Sequence, residues 1–162
     1  MIMIKDYRLV KVEDNVYRVH SKESVACPVC IGALSIIGSR KRKYIDDSGK
    51  KQTLIIRRLR CVGCKIIHHE LPDILIPYKR HCTETFEKIA AGNLTSLPCE
   101  ESSVRRIKIW WKNFRLYFEN ILISLKEKYG AIFVSLLTPK EAVRIAVNTN
   151  FWVHTRSAFL SS

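Results

Sequence analysis

The alternation of apolar and polar positions predicts strands in the first half of the chain. Over residues 1–22 apolar side chains alternate with polar ones on either side of a polar turn at 13–15, which is typical of a β-hairpin. Runs rich in β-branched residues at 34–37, 43–45 and 53–60 predict further antiparallel strands. Two prolines within 66–78 then indicate an extended connector or an edge strand, because proline interrupts a helix.

Helical spacing follows the connector. Residues 83–91 place apolar side chains three and four apart and end at Gly92. A long helix is predicted to begin at Ser102 or Ser103, either of which can cap it, and to continue to about residue 129. Its predicted apolar face consists of Val104, Ile107, Trp111, Phe114, Phe118, Ile121, Leu122, Leu125 and Tyr129.

The last part of the chain predicts two short helices around a three-residue break. Thr138 and Glu141 form a capping-box pattern with Pro139 between them, so a helix is expected over 138–147. A second is expected over 151–160. We favour a helical cap over the core, with a second helix-turn-helix as the alternative, because basic residues are sparse here.

Four of the six cysteines form two C-x-x-C pairs, Cys27/Cys30 and Cys61/Cys64. Each pair turns two thiolates toward one point, and two pairs complete the four-sulfur shell that Zn²⁺ favours in closed structural sites. Disulfides and unligated thiols are the alternatives. The start of the chain lacks the features of a signal peptide, which disfavours disulfides. We therefore expect these four residues to bind a structural Zn²⁺, with His68 or Cys82 as a less favoured substitute ligand.

These elements together predict the α+β class. A β-hairpin and a zinc β-ribbon are expected in a first domain, residues 1–78. A helical domain with a helix-turn-helix-like region is expected over 79–162.

Charge is concentrated in two blocks. The chain has a formal net charge of +13, and residues 27–65 contain ten Lys/Arg against two Asp, while residues 104–128 contain seven against two Glu. Clustered positive charge favours a polyanionic partner, most simply nucleic acid. No run of apolar residues is long enough for a membrane span. We expect a cytoplasmic protein without a membrane partner, associated with the nucleoid when it is bound to DNA.

Both blocks contain candidate contacts to DNA. In the predicted ribbon, two arginine-rich runs on antiparallel strands would contact phosphates, and a solvated hairpin is the alternative. In the long helix, a basic stripe lies beside the apolar face, and an ordinary amphipathic helix is the alternative. The candidates in the ribbon are Arg40, Lys41, Arg42, Lys43, Arg57, Arg58 and Arg60, and those in the helix are Ser103, Arg105, Arg106, Lys108, Lys112 and Arg115.

Ile109, Leu116 and Ile123 recur every seven residues on the otherwise polar side of the long helix. We expect them to pack against another element of the same chain, with a second copy or a protein partner as the alternative.

No pattern typical of an enzyme is found. The 15 acidic residues provide no spaced trio for two-metal chemistry, and neither a phosphate-binding glycine-rich loop nor a nucleophile elbow is present. A non-catalytic protein is therefore predicted.

The two cysteine pairs, the run 54–64 and the following 68–73 and 77–80 resemble a family of uncharacterised bacterial zinc-ribbon proteins. That family is itself similar to the N-terminal zinc-binding and helix-turn-helix regions of insertion-sequence transposases. The resemblance covers roughly residues 25–115. It implies that the four cysteines are zinc ligands and that the helix from Ser103 contacts DNA. It does not extend to a carboxylate catalytic domain, of which the chain has no trace.

The sequence thus predicts a non-catalytic zinc-ribbon protein, transposase-like or regulatory, that binds DNA. Double-stranded DNA is the favoured partner, and RNA is not distinguished from it. The alternative is an adaptor that binds other proteins of a nucleic-acid-processing complex, as a homodimer or with a different partner.

Overall fold

A computed structural model describes residues 1–130 and 138–153 of the protein. It has a mixed α+β architecture, with an N-terminal curled β-sheet followed by helices. Within the described residues the strands are β1 (Ile2–Ile4), β2 (Tyr7–Glu13), β3 (Val16–Ser21), β4 (Leu34–Ile45), β5 (Lys51–Cys61) and β6 (Ile67–Pro72). The helices are α1 (Thr83–Ala90), α2 (Glu101–Tyr129) and α3 (Pro139–Asn148).

β5 organises the sheet. It pairs with antiparallel β4 along one edge, while its other edge is shared by parallel β3 near the start and by antiparallel β6 near the end. β2 continues the sheet beyond β3 as the predicted hairpin, and β1 lies parallel to β6. The strand order is therefore β1-β6-β5-β3-β2, with β4 on the opposite side of β5.

The region predicted as two strands, 34–37 and 43–45, is the single strand β4. Its register with β5 shifts between Ile36 and Gly38, where Gly38 has a φ of 143°. A bulge of this kind adds one residue and bends the strand without ending it. The polar run at 39–43 continues the strand because most of these side chains are exposed to water.

The starts of two helices differ in their capping. α3 is confirmed as predicted, because the Thr138 hydroxyl accepts from the Glu141 N–H and the Glu141 carboxylate accepts from the Thr138 N–H. The N-cap of α2 lies two or three residues before its predicted position. Glu100 occupies its N-cap position without a side-chain cap, so the capping prediction for Ser102 or Ser103 is wrong.

The predicted C-terminal helix at 151–160 falls mostly outside the described residues. Residues 151–153 are not helical. No helix within the described ranges combines the length and apolarity needed to cross a membrane.

The hydrophobic core lies between the sheet and the helices. Leu54 and Ile56 of β5 belong to the same buried cluster as Phe86 of α1 and Phe114 of α2. This one cluster spans the predicted boundary at 78/79, and the division into two domains stays a prediction. Most of the predicted apolar face of α2 is buried or half-buried, but Trp110 is buried more deeply than Trp111. Trp110 meets Phe86 edge to face, with ring centroids 5.2 Å apart.

The seven-residue repeat on α2 does not pack within the described part of the chain. Ile109, Leu116 and Ile123 are 52%, 56% and 61% exposed. The expected intramolecular packing of these residues is therefore not found there, and an apolar stripe faces outward.

Candidate metal centre and basic surface

The first C-x-x-C pair lies in a tight turn between β3 and β4. The Cys27 carbonyl accepts from the Ile31 N–H (2.8 Å), and the Cys27 N–H donates to the Gly32 carbonyl (3.0 Å). Ile31, directly after the second cysteine, has a φ of 61°. This left-handed residue reverses the chain and keeps both sulfurs on the inner side of the turn.

The second pair repeats the same backbone pattern. The Cys61 carbonyl accepts from the Lys65 N–H (3.1 Å), and the Cys61 N–H donates to the Ile66 carbonyl (2.9 Å). Lys65, again directly after the second cysteine, has a φ of 63°. The turns are joined by a hydrogen bond from the Val62 N–H to the Ala33 carbonyl (2.9 Å). The two halves of the site are therefore formed by equivalent turns.

The four sulfurs of Cys27, Cys30, Cys61 and Cys64 all lie within 4.8 Å of one another. Cys30 Sγ is 3.4 Å from Cys61 Sγ, and Cys27 Sγ is 3.7 Å from Cys64 Sγ. These separations exceed a disulfide bond of about 2.05 Å. They approach the roughly 3.8 Å between sulfurs that a tetrahedral ion with ~2.3 Å metal–sulfur bonds requires. The residues present thus fit a metal site of four thiolates.

The second pair has little spare room, and the pKa values of its two thiols shift in opposite directions. A Cβ atom on Gly32 would lie only 3.2 Å from both Cys30 Sγ and Cys61 Sγ, so a larger residue would crowd the site. Burial raises the pKa of Cys61, but hydrogen bonds from the Cys64 N–H and from Cys30 outweigh burial and leave this pKa below its ordinary value. A hydrogen bond from the Ile66 N–H lowers the pKa of Cys64, but burial and the neighbouring thiols outweigh it and raise this pKa to about 12.

His68 contacts the cluster from β6. Its Nε2 is 3.3 Å from Cys27 Sγ, while its Nδ1 is 3.2 Å from the Met1 nitrogen. Burial, followed by the positive charges of the Met1 amino group and His69, lowers the pKa of His68. A neutral imidazole protonated on Nε2 would donate to a Cys27 thiolate. His68 therefore lies beside the four sulfurs as a hydrogen-bond partner of one ligand, and Cys82 lies elsewhere, with its Sγ 3.4 Å from Thr85 Oγ1.

The guanidinium of Arg57 is engaged inside the sheet. Its Nε and Nη2 donate to the two carboxylate oxygens of Glu70, each at 2.6 Å, and Glu70 is 1% exposed. The hydrogen bond to Glu70 raises the pKa of Arg57. Sequence reasoning missed Glu70. The sequence contains one indication of it. His68 and Glu70 are two residues apart, so on a strand their side chains lie on the same face. Arg57 therefore has a structural role, and because its charge is paired with Glu70 it does not belong to the neighbouring basic surface.

Three other arginines and a histidine gather on one face of the β4–β5 hairpin. We call Arg40, Arg42, Arg58 and His69 the hairpin cluster. Arg58 pairs with both Gly38 and His69 in the sheet register. Burial and then the charge of Arg40 lower the pKa of Arg42, and burial followed by the charges of Arg40 and Arg58 lowers the pKa of His69.

No carboxylate within the described residues forms an ion pair with the hairpin cluster. Lys41 and Lys43 alternate with Arg40 and Arg42 along β4, so they lie on the opposite face of the strand. Both lysines and Arg60 are exposed.

The predicted basic stripe on α2 faces water. Arg105, Lys108, Lys112 and Arg115 are all exposed. Arg115 donates to Glu119 one turn later (3.0 Å), whereas the other three have no carboxylate partner within the described part of the chain. Ser103 and Arg106 lie at the start of the helix, and Arg106 donates through Nε to the Ser102 carbonyl (3.2 Å). A chain of separate cations therefore follows the exposed side of the helix.

Fold and site together define a mixed α+β protein in which four clustered cysteines, compatible with a metal site, lie beside a basic hairpin. The chain belongs to the family described as a domain of unknown function, DUF6431, whose profile matches residues 27–107. This match includes both cysteine pairs, strands β4 to β6, helix α1 and the start of α2. Neither a curated protein nor a solved structure matches the chain.

Proposed function

We propose that this protein binds nucleic acid, most simply double-stranded DNA, without catalysing a reaction on it. The hairpin cluster and the exposed cations of α2 contact phosphates, and a structural Zn²⁺ held by the four cysteines stabilises the hairpin as a zinc ribbon. The protein acts in the cytoplasm, at the nucleoid, in a transposase-like or regulatory role.

The observation that carries the proposal is the hairpin cluster itself. Arg40, Arg42 and Arg58 lie on one face of the sheet, and burial followed by the charge of Arg40 lowers the pKa of Arg42. Like charges held together without a counter-charge destabilise a fold. A polyanion relieves this cost, because each phosphate pairs with a cation and releases condensed counterions.

The metal assignment follows from the ligand set. Four thiolates at tetrahedral spacing suit Zn²⁺ and leave no coordination position for a substrate. Zinc would join the β3–β4 turn to the end of β5 and so hold the base of the hairpin.

The helix-turn-helix interpretation of α1 and α2 is proposed in a modified form. Residues 91–100 separate the two helices, which is longer than the usual turn of three to four residues. Phe86 and Trp110 nevertheless pack the helices together. The pair would present the start of α2 to DNA from a scaffold that includes the sheet.

The test is binding of a labelled duplex of about 25 base pairs, measured by fluorescence anisotropy across a range of salt concentrations. We expect affinity to fall steeply with salt. Absence of binding at low salt, or binding that salt leaves unchanged, would refute the proposal.

Variants separate the two basic surfaces. Arg40→Gln/Arg58→Gln removes two charges from the hairpin, and Arg105→Gln/Lys108→Gln removes two from the helix. Each should weaken binding and reduce the salt slope by about one per lost phosphate contact, while the fold is retained. Lys5→Gln/Arg8→Gln is the matched control, because it removes two exposed charges outside both basic blocks. Equal losses in all three variants would show that only net charge matters.

The adaptor function is a second candidate, favoured by the exposure of Ile109, Leu116 and Ile123. An apolar stripe of this kind suits a second copy or a protein partner. The size of the purified protein in solution, measured by light scattering with and without DNA, distinguishes the candidates. A DNA-independent dimer that Leu116→Glu dissociates would support the adaptor.

A further inference from the structure

The segment 78–81 connects the sheet to the helices and lies between the two basic surfaces. The Ile45 N–H at the end of β4 donates to the Arg80 carbonyl (2.8 Å), and the Cys82 N–H donates back to the Ile45 carbonyl (2.9 Å). On the same side, Arg42 of the hairpin cluster donates through Nη2 to the Lys79 carbonyl (3.0 Å). The segment is therefore fixed to the hairpin.

The same segment contacts the start of α2 through Lys79. The Lys79 ammonium lies 4.8 Å from the ring centroid of Trp110, in a cation–π arrangement. Lys79 is half-buried and has no carboxylate partner within the described residues. A partly desolvated ammonium without a counter-ion is unfavourable for the fold, and a bound anion would offset this cost.

A cleft of about 360 Å³ opens between this segment and the first turns of α2. Its basic lining comes from Lys79 and Arg80 on one side and from Arg106 on the other, with Ser103 beside them. Glu100 is the acidic residue of the lining, and its carboxylate accepts from the Ser102 hydroxyl. Three cations against one carboxylate leave the cleft positive.

Buried polar groups in the cleft point to a ligand independently of the charge. His81 lines the cleft, is 8% exposed, and its Nδ1 has no hydrogen-bond partner among the described residues. Trp110 also lines it, is 7% exposed, and its Nε1 likewise has no partner in the described ranges. An unsatisfied buried nitrogen is costly, and after a small adjustment of either ring a ligand oxygen would accept from the Trp110 Nε1–H, or from His81 Nδ1 in the tautomer that carries its proton there.

We infer that this cleft binds a phosphate group of the nucleic-acid strand and so joins the hairpin cluster and the start of α2 into one continuous binding surface. Lys79 and Arg80 pair with the phosphate, and the N-terminus of α2 adds a favourable dipole. The inference rests on the proposed function and deepens it, because it assigns binding to a segment that neither basic block contains.

The test compares Lys79→Gln and Arg80→Gln with Lys5→Gln, which removes the same charge from an exposed residue between β1 and β2, outside both basic blocks. Each cleft variant should weaken binding to the duplex at least about fivefold and lower the salt slope by about one, whereas the control should change affinity less than about twofold. Lys79→Arg should restore binding. Circular dichroism and thermal melts verify that the variants fold, and Arg80 is exposed, so its variant tests the cleft even if Lys79→Gln is destabilised.

The outcomes separate this inference from the proposed function. If the wild-type protein does not bind the duplex at low salt, the proposed function fails and the inference fails with it. If the wild type binds and both cleft variants match the control, only the inference is wrong. Inorganic phosphate, titrated at constant ionic strength while amide signals of residues 79–81 and 101–103 are followed by NMR, distinguishes the source of the phosphate. Saturation below about 1 mM would assign a free-anion site and overturn the inference.

Discussion

Arg57 and Glu70 form a two-point ion pair across β5 and β6, in which both carboxylate oxygens of a fully buried glutamate accept from one guanidinium. Glu70 also faces Ile2 in the pairing of β6 with β1. The ion pair thus lies where three strands meet. The sequence predicts Arg57 as a DNA contact, which stays a prediction, and the structure adds this ion pair within the sheet.

Removing the arginine should destabilise the protein strongly. Arg57→Met leaves the Glu70 carboxylate buried without a partner, so the free energy of unfolding should fall by about 3–5 kcal/mol. Arg57→Met/Glu70→Leu removes both charges and should recover most of that loss. Urea unfolding of the metal-loaded protein, followed by circular dichroism, measures both variants.

Arg58→Met is the matched control, since Arg58 is the next residue on the same strand and has no carboxylate partner in the described ranges. It should change stability by less than about 1 kcal/mol. Equal losses for Arg57→Met and Arg58→Met would contradict the structural role of the ion pair.

Metal removal should unfold the hairpin end of the sheet. The two cysteine turns lie at the end of the β4–β5 pairing, where the Val62 N–H donates to the Ala33 carbonyl and the four sulfurs come together. A chelator strong enough to extract Zn²⁺ leaves these thiolates clustered without their cation, so it should lower the melting temperature and abolish DNA binding indirectly. Mass spectrometry under native conditions should show one zinc per chain. Cys61→Ser should behave like the chelated protein, whereas Cys99→Ser should retain the metal. A hairpin that keeps its strand signal after complete chelation would disprove this role.

His68 should slow metal loss. Donation from Nε2 to Cys27 Sγ orients that ligand and delocalises its charge, and removal of such a supporting contact typically costs about 10- to 100-fold in metal affinity. We therefore expect His68→Phe to release zinc to a competing chelator faster than wild type. His68→Gln retains an N–H donor and should be intermediate. The neighbouring His69→Gln should release zinc at the wild-type rate, and a His68→Phe variant that does the same would exclude the contact.

The features that local geometry determines were predictable from the sequence. Each cysteine turn closes through hydrogen bonds that span at most five residues, and the capping box of α3 spans three. Helical periodicity likewise predicted α1 and most of the buried face of α2. These patterns need no knowledge of distant segments.

The features that distant pairing determines were not predictable. The parallel pairings of β1 with β6 and of β3 with β5 join segments whose sequences carry no sign of each other. In the sequence, Arg57 cannot be distinguished from the arginines beside it, and only the pairing of β6 with β5 shows that Glu70 lies next to it. Periodicity alone favoured Trp111 over Trp110, but the contacts of Trp110 with Phe86 and Lys79 bury it.

The stability of the edge strand β1 should depend on a single side chain of α3, that of Asn148. Asn148 Oδ1 accepts from the Met3 N–H and Asn148 Nδ2 donates to the Met3 carbonyl, both at 2.8 Å. The amide thus occupies the backbone groups that this edge strand would otherwise leave unpaired. Asn148→Ala should lower the free energy of unfolding by about 1–2 kcal/mol. Asn148→Asp should be at least as damaging, because it directs a carboxylate at the Met3 carbonyl. Thr149→Val, which removes only a hydroxyl bonded within α3, is the control.

The affinity of the cleft for DNA should fall as the pH rises from 7 to 9, because Lys79 loses its charge over this range. Burial lowers the pKa of Lys79 to about 8, so its ammonium is mostly charged at pH 7 and mostly neutral at pH 9. Binding of the duplex should therefore weaken several-fold over that range. The other titratable or charged groups that line the cleft are Tyr78, Arg80, His81, Glu100 and Arg106. Only histidine has an ordinary pKa near neutrality, and burial followed by the charge of Arg80 lowers the pKa of His81 away from this range.

Lys79→Arg provides the control for this pH dependence, because a guanidinium keeps its charge up to pH 9. Its affinity should be nearly constant between pH 7 and 9, and Lys79→Gln should be equally constant but weak. Anisotropy titrations at fixed ionic strength measure all three proteins. A wild-type profile that is flat would mean that Lys79 contributes no charge to binding. A profile that falls equally in Lys79→Arg would assign the pH dependence to another group.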